Sequence, residues 1–320
     1  MGHGMAEEVT HMKKWLGWIL IGSLILGCTL LPAVAGMESM YIIPDSDSRL
    51  LTYQELWEYK YDTLLYAFNE IYARHGYKFE TGSRCYNWFM QMPWYSPNMN
   101  ESSSDHHTTY AQVTTLEQKN VDLIKEVRAE MRAMNTTNPK GKGLPTPPDT
   151  QVDKPRGFSY VQLKAGQKLP VYAAPSTRAY RANSGKAMCS TNGAVYAMGW
   201  DNGWMLMLYE ASSAGQYRVG YVDGSAIKGT LPVLDQLVWD GSVCEVLTAT
   251  TLTDDPALTG KSLTRLAAGT RVTYLTSMFN STEWDYIETI VEGKTARGFV
   301  PHGTLSITET DADEFEEGNG

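Results

Sequence analysis

The segment from Leu51 to Gly76 places its apolar residues at helical spacing. Thr52 and Glu55 have the spacing of a capping box, in which each side chain satisfies a backbone N–H at the start of a helix. Gly76 supplies the left-handed residue at which many helices end. The segment is therefore predicted to form one helix. Its apolar face consists of Leu64, Leu65, Phe68, Ile71 and Tyr72.

Two further helices are predicted behind this one. Ser83 is expected to cap a short helix over 83–90. Thr115 and Gln118 again have capping-box spacing and open a helix over 115–134. A helical domain of this size needs large side chains to bury enough area. The aromatic residues interpreted as its core are Trp57, Trp88, Trp94 and Tyr95.

Beyond residue 157 the pattern changes to short segments rich in β-branched and aromatic residues, separated by Gly, Asn and Pro. These segments form two sets that align as a repeat. The pair Gly203-Trp204 corresponds to Glu283-Trp284, and Gly220-Tyr221-Val222 corresponds to Gly298-Phe299-Val300. Each copy has about 65–75 residues and about five to seven strands, which suits a small β-barrel.

Composition divides the chain into successive parts. The stretch over 135–156 is rich in proline and poor in apolar residues, which is typical of an extended semi-rigid linker. The acidic ending DADEFEEGNG is predicted to be a disordered tail. The predicted parts are a signal peptide or anchor (1–36), a helical domain (37–134), the linker (135–156), the first repeat (157–232), the second repeat (233–308) and the tail (309–320).

The N-terminal segment has the pattern of an export signal. Met12-Lys13-Lys14 precedes an apolar run, and Ala33-Val34-Ala35 then supplies the small residues that a signal peptidase reads. Cleavage after Ala35 is the main interpretation, with an uncleaved N-terminal anchor and lipidation at Cys28 as alternatives. In each case the bulk of the chain lies outside the cytoplasmic membrane, and membrane contact is limited to this segment.

Charge and motifs exclude several classes of function. The net charge is −9 and no basic block is present, so nucleic acid is not an expected partner. The sequence has no G-x-S-x-G, H-E-x-x-H or Gly-rich phosphate loop. We therefore expect no enzymatic activity, no catalytic residue, no cofactor and no metal site.

The reactive residue types have structural interpretations. Cys85, Cys189 and Cys244 are odd in number and lack C-x-x-C spacing, so they are predicted to be small buried hydrophobes, with a Cys189–Cys244 bridge as the alternative. The pair His106-His107 is predicted to lie in a solvated loop rather than on a metal ion. The ligand-binding candidates are the amphipathic rings of the connecting loops, which suit sugar stacking or an extended peptide. They are Tyr172, Tyr180, Trp200 and Tyr286.

The stretch IYARHGYKF, followed by Tyr86, Trp88-Phe89 and Trp94-Tyr95, resembles the YARHG domain, a small extracellular module of bacterial surface proteins. The resemblance covers roughly Tyr41 to Met134 and implies an extracellular location but no activity. The family motif is Tyr72, Ala73, Arg74, His75 and Gly76. His75 is expected to hydrogen-bond the last carbonyls of its helix, and Arg74 is expected to anchor Glu70 or Glu55.

The repeats resemble bacterial SH3-like (SH3b) domains, most clearly in LTRLAAGTRVTYL, WDYIET and RGFVP of the second copy. The expected fold is multi-domain α plus β, with a small helical N-terminal domain followed by two small SH3-like β-barrels. The resemblance implies an exported, non-enzymatic envelope protein that binds cell-wall peptidoglycan, glycan or peptide. The alternatives are a membrane-anchored ectodomain that binds protein partners, an enzyme whose catalytic unit is the helical domain, and barrels that act as spacers.

Overall fold

The computed structural model describes residues 40–98, 107–145, 157–211, 216–255, 262–280 and 282–306. The predicted signal or anchor segment and the acidic tail lie outside the described residues. Within the ranges given, none of the helices has the length and apolar character that a membrane crossing requires. The helices are α1 (Tyr53–Leu56), α2 (Tyr61–Arg74), α3 (Arg84–Phe89), α4 (His107–Gln112), α5 (Thr115–Ala133) and the short turn α6 (Ala182–Gly185).

The single helix predicted over 51–76 is wrong, because the chain breaks into α1 and α2. The backbone groups at the break are satisfied from outside the helices. Asn138 Nδ2 donates to the carbonyls of Trp57 and Tyr59, each at 2.8 Å. The amide of Lys60 donates to the carbonyl of Lys142 at 3.0 Å. The segment that follows α5 thus replaces a turn of helix.

The same contacts correct the predicted boundary of the linker. Residues 135–145 are part of the helical domain rather than an extended spacer, since the amide of Tyr61 donates to the carbonyl of Thr137 at 3.1 Å. Leu144 also packs against the apolar core of this domain. The linker was predicted from the composition of neighbouring residues. Composition carries no information about hydrogen bonds to residues about eighty positions earlier, so it could not show that this segment belongs to the helical domain. The remainder of the predicted linker lies outside the described residues.

The other helix predictions are confirmed with one shift. Ser83 accepts a hydrogen bond from the amide of Tyr86 and caps α3. The capping box of α5 consists of Thr114 and Glu117, one residue earlier than predicted. Their two reciprocal bonds measure 3.2 and 2.8 Å. The predicted aromatic residues belong to the core or pack against it, and Trp88 is almost fully buried.

The two repeats have the same strand topology. Their strands are β1 (Ser159–Tyr160), β2 (Lys168–Pro170), β3 (Met188–Ser190), β4 (Val195–Asp201), β5 (Trp204–Glu210), β6 (Tyr217–Asp223), β7 (Val243–Glu245), β8 (Thr250–Leu252), β9 (Thr264–Leu266), β10 (Arg271–Phe279), β11 (Glu283–Val291) and β12 (Lys294–Pro301). The four-stranded sheets have the orders β1-β4-β5-β6 and β7-β10-β11-β12, and β2-β3 and β8-β9 form matching antiparallel pairs. The pairing of the described strands gives these sheets and no closed barrel.

The repeated glycine of each copy marks a close approach between strands. Gly220 passes Val171, and a Cβ at residue 220 would lie 2.5 Å from Val171 Cγ1. Gly298 passes Thr253 in the same way, and a Cβ there would lie 2.7 Å from the Thr253 carbonyl oxygen. Only glycine allows this approach, which explains its recurrence before the aromatic residue in both copies.

Each repeat has an apolar cluster of its own, and the two repeats are also joined by a shared core. One apolar cluster combines side chains of both copies, and it includes Trp284, while Trp204 packs against it. The buried aromatic residues of this shared core are Tyr221, Trp284, Tyr286 and Phe299. The two copies, which the sequence divides at residue 232, therefore fold onto each other.

Candidate functional site

A cleft of about 650 Å³ lies between the helical domain and the second repeat. One wall is formed by α2, α3 and the segment after α5, and the other by β7, β10, β11 and the turn after β12. The cleft is lined by apolar groups, amides, hydroxyls and charges. The polar lining includes Lys60, Asp62, Gln91, Thr137, Thr282 and His302.

The helical domain docks on the second repeat beside this cleft. Phe279, at the end of β10, inserts into the helical core, with its ring centroid 5.2 Å from that of Trp88 and 6.1 Å from that of Tyr66. Asn87 Nδ2 donates to the carbonyl of Ser277 at 2.9 Å. The contact therefore has an apolar anchor with polar bonds around it, and it holds the two walls of the cleft in place.

Charged side chains of both units converge on His302 at this boundary. His302 Nδ1 lies 2.8 Å from Asp285 Oδ1. His302 Nε2 lies 3.4 Å from Asp62 Oδ2 and 3.6 Å from Glu283 Oε2. Arg84 Nη2 donates to the other oxygen of Asp62 at 3.0 Å. Three carboxylates thus surround one imidazole, and one of them, Asp62, comes from the helical domain.

The surroundings of His302 favour its charged form. Burial opposes protonation, but the negative charges of Glu283, Asp285 and Asp62 outweigh it and raise the pKa of His302 well above its ordinary value. Burial also disfavours ionised Asp62, yet the hydrogen bond to His302 and the charge of Arg84 hold the pKa of Asp62 well below its usual range. Burial raises the pKa of Glu283. At neutral pH, His302 is therefore an imidazolium that joins the two units.

The family motif at the end of α2 has structural partners. Arg74 Nη2 lies 2.7 Å from Glu70 Oε1, which confirms the predicted anchor, and it also donates to the carbonyl of Ile43 at 2.9 Å. His75 Nε2 lies 2.9 Å from Glu117 Oε1. The prediction that His75 bonds the last helix carbonyls is wrong, because the ring turns instead to the capping box of α5. Gly76 has φ +84°, as a helix end requires.

Comparison with protein families identifies this part of the chain. Residues 39–129 match the family model of the YARHG domain. This range agrees with the expected limits of Tyr41 and Met134. YARHG domains occur in extracellular or periplasmic proteins. The ion pairs of Arg74 and His75 thus show that the motif ties the YARHG domain together.

Two solved structures show weak similarity to the chain. They are NlpC2 and NlpC1 from Trichomonas vaginalis, at 15% and 12% sequence identity. The alignments cover 47% and 50% of this chain, and the TM-score is 0.19 for both. The alignments span about half the length of these proteins, 48% in each case. No curated protein matches the chain.

The structure does not bring the predicted ligand-binding rings together. The prediction that Tyr286 binds a ligand is wrong. Its side chain is 1% exposed in the core that the repeats share, so it cannot line a groove. Tyr172 is partly buried and stands edge-on to Trp204, with ring centroids 5.4 Å apart. Tyr180 packs against the second repeat, and Trp200 Nε1 donates to the carbonyl of Pro232 at 3.4 Å. The lining of the cleft includes none of the four.

The predicted cysteines and histidines have these outcomes. Cys85, Cys189 and Cys244 are free and buried, which confirms the hydrophobic interpretation and contradicts the Cys189–Cys244 bridge. Cys244 lines the cleft, and burial raises its pKa to about 12, so its thiol stays protonated at neutral pH and is a poor nucleophile. His106 lies outside the described residues, and His107 begins α4.

The charged residues at the boundary were not identified from the sequence. A comparison of the two repeats could have pointed to them, because these positions differ between the copies. The hydrogen-bonded register pairs Trp204 with Asp223 in the first copy and Trp284 with Pro301 in the second. In that alignment, the two carboxylates and the histidine of the second copy have counterparts in the first copy that carry no titratable group. Glu283, Asp285 and His302 correspond to Gly203, Met205 and Gly224. The first copy therefore lacks this cluster.

Proposed function

We propose that the chain is an exported, non-enzymatic envelope protein that binds a peptide or glycan of bacterial peptidoglycan. The YARHG domain and the second of two SH3-like (SH3b) repeats form the binding site between them. The observation that carries this proposal is the cleft of about 650 Å³ at their boundary, which is lined by amide, hydroxyl and charged side chains.

The size and lining of the cleft suit such a ligand. Ligand sites in proteins commonly have volumes of about 300–1,000 Å³ and a few well-placed polar groups. Gln91 Oε1 is buried in the cleft wall and has no hydrogen-bond partner among the residues that the structure describes, so a donor of the ligand that reaches it would satisfy it. Lys60 contributes an exposed ammonium group at the same wall. Peptides and amino sugars carry the amide and carboxylate groups that these side chains recognise.

The state of the reactive side chains supports binding rather than catalysis. The Cys244 thiol has a raised pKa and stays protonated, so it is a poor nucleophile. His302 is protonated as well, so it cannot act as a general base toward a substrate. Arg74 and His75 of the YARHG motif make ion pairs with Glu70 and Glu117. An enzyme centred on that motif would have to break these pairs to reach a substrate.

A sedimentation assay with insoluble peptidoglycan tests the proposal. The chain from Gly36 onward is incubated with peptidoglycan, pelleted, and compared with the variant Lys60→Ala/Gln91→Ala. Loss of one or two hydrogen bonds at this site is expected to weaken binding by about tenfold or more. Lys119→Ala is the matched control, because Lys119 is exposed on α5 and does not line the cleft. Equal pelleting of all three proteins would overturn the cleft as the site.

A further inference from the structure

Charged side chains from both sides of the boundary meet at the ring of His302. Of the carboxylates that face this ring, Glu283 and Asp285 come from β11 of its own repeat, and Asp62 comes from α2 of the YARHG domain. The Asp62 and Glu283 carboxylates lie within 3.6 Å of the same atom, Nε2. Their close approach across the boundary depends on a positive charge between them.

The other groups around this site do not replace that charge. Arg84 of α3 supplies the second cation of the cluster and binds the outer oxygen of Asp62. The remaining neighbours are neutral: the Tyr66 hydroxyl donates to Glu283 at 3.2 Å, and the Ser277 hydroxyl of β10 donates to Asp285 at 3.3 Å. Cys244 of β7 keeps its proton up to high pH. A neutral His302 would leave three carboxylates opposed by one guanidinium.

We propose that the His302 imidazolium is a pH-sensitive latch that holds the YARHG domain against the second repeat and so controls access to the cleft. Protonated His302 closes the boundary. Loss of its proton leaves Asp62 facing Glu283 and Asp285 without a bridging cation, and the repulsion separates the walls. The regulatory meaning of the latch rests on the proposed ligand site, but its movement requires no ligand.

The charged cluster can respond to a change of pH because its side chains are partly exposed to solvent. The side chains of His302 and Asp62 are each 28% exposed, so protons can exchange with solvent. The apolar anchor, Phe279, lies on β10, across β11 from the turn that carries His302, and keeps the units attached when the charges part. We therefore expect a widening of the cleft at the His302 side rather than dissociation of the two units.

Distance measurements across the cleft test the latch. Spin labels are attached to Thr137→Cys and Thr282→Cys, which are exposed residues on opposite walls, in the chain from Gly36 onward. The native cysteines of this chain are buried and do not compete for the label. Double electron–electron resonance then gives the distance distribution between pH 6 and pH 10. A pair at Thr282→Cys and Ile290→Cys, within one repeat, is the control.

The latch predicts a narrow, short distance near neutral pH and a longer, broader one at alkaline pH, with the control pair unchanged. His302→Gln is expected to show the open distribution already at pH 7, and His302→Lys is expected to stay closed at pH 10. An unchanged distance across the pH range in the wild-type chain would overturn the proposal, whether or not the variants fold. Because no ligand is present, this result is independent of the peptidoglycan assay.

Discussion

The backbone amide of Val219 donates a hydrogen bond of 2.9 Å to the carbonyl of Asp254, which ties the last strand of the first repeat to the second. The contact is reciprocal, because the backbone amide of Arg297, which aligns with Val219, donates at 2.8 Å to the carbonyl of Ala173. Ala173 aligns with Asp254, since the residues before them, Tyr172 and Thr253, form equivalent bridges to Tyr221 and Phe299. Such exchange of equivalent contacts is the property of a two-fold interface. The repeats are thus paired as two protomers of a dimer would be.

The first prediction concerns the shared core of this pair. Tyr286→Ala is expected to lower the free energy of unfolding by about 3–5 kcal/mol, because it removes a fully buried ring between the copies. Since Tyr286 packs in a cluster with side chains of both copies, backbone amides of both should lose protection. Urea denaturation gives the free energy, and hydrogen exchange gives its distribution.

The matched control is Tyr160→Ala, whose ring is 63% exposed on β1. Its free energy of unfolding should stay within about 0.5 kcal/mol of the wild type. Loss of exchange protection in the second repeat alone would show that the copies are independent domains after all.

The second prediction concerns the glycines at the strand crossings. Gly298→Ala should lower the free energy of unfolding by about 1–3 kcal/mol, because its Cβ would lie 2.7 Å from the Thr253 carbonyl and the strands would have to move apart. Gly193→Ala is the control, since its Cβ would meet nothing nearer than 3.7 Å. Thermal unfolding of both variants checks the difference, and equal stability would contradict the close approach.

Helices and repeated strands could be predicted from the sequence because their signals are local. Capping residues such as Ser83 and the recurring Gly-aromatic pair depend on neighbours a few positions away. The break between α1 and α2 could not be predicted this way, because Asn138 stabilises it from about eighty residues further along. The burial of Tyr286 was missed for a similar reason: its ring faces the other repeat.

The candidate site illustrates the same limit more strongly. Asp62 and His302 meet only because the YARHG domain docks on the second repeat, and they are 240 positions apart in the chain. No spacing rule connects two such residues. The partial signal was the difference between the copies, where Gly224 occupies the position of His302. A residue that departs from its counterpart in a repeat is a useful candidate for function.

The third prediction concerns the ion pair of the YARHG motif. Glu70 is 1% exposed and accepts hydrogen bonds from the amides of Ile42 and Ile43 as well as from Arg74. Arg74→Ala should lower the free energy of unfolding by about 3–5 kcal/mol, because it leaves a buried carboxylate without its cation. Urea denaturation of the variant measures the loss.

An exposed pair of the same domain provides the control. Arg49→Ala removes contacts with Asp45 and Glu55 at the surface and should cost no more than about 1 kcal/mol. The double variant Glu70→Gln/Arg74→Ala should be more stable than the sum of the single losses predicts, since neither then leaves a lone buried charge. Additive losses would mean that the two side chains act separately.

The fourth prediction is the pH dependence of stability that follows from His302 and Asp62. The pKa of His302 is raised in the folded chain, so its stabilising contribution is complete below about pH 6.5 and is lost as pH rises through the raised value. The pKa of Asp62 is lowered, so its contribution is present above about pH 4 and is lost as pH falls further. The cluster therefore stabilises the chain most between these limits.

Comparison with His302→Gln isolates this contribution. The difference in free energy of unfolding between wild type and variant should be largest near pH 6 and should shrink as pH rises toward 10, because neutral His302 stabilises little more than glutamine does. Urea denaturation at intervals of one pH unit measures it. A difference that stays constant from pH 6 to pH 10 would mean that His302 packs at the boundary without carrying charge. A difference that grows with pH would reverse the sign and contradict the carboxylate environment seen around the ring.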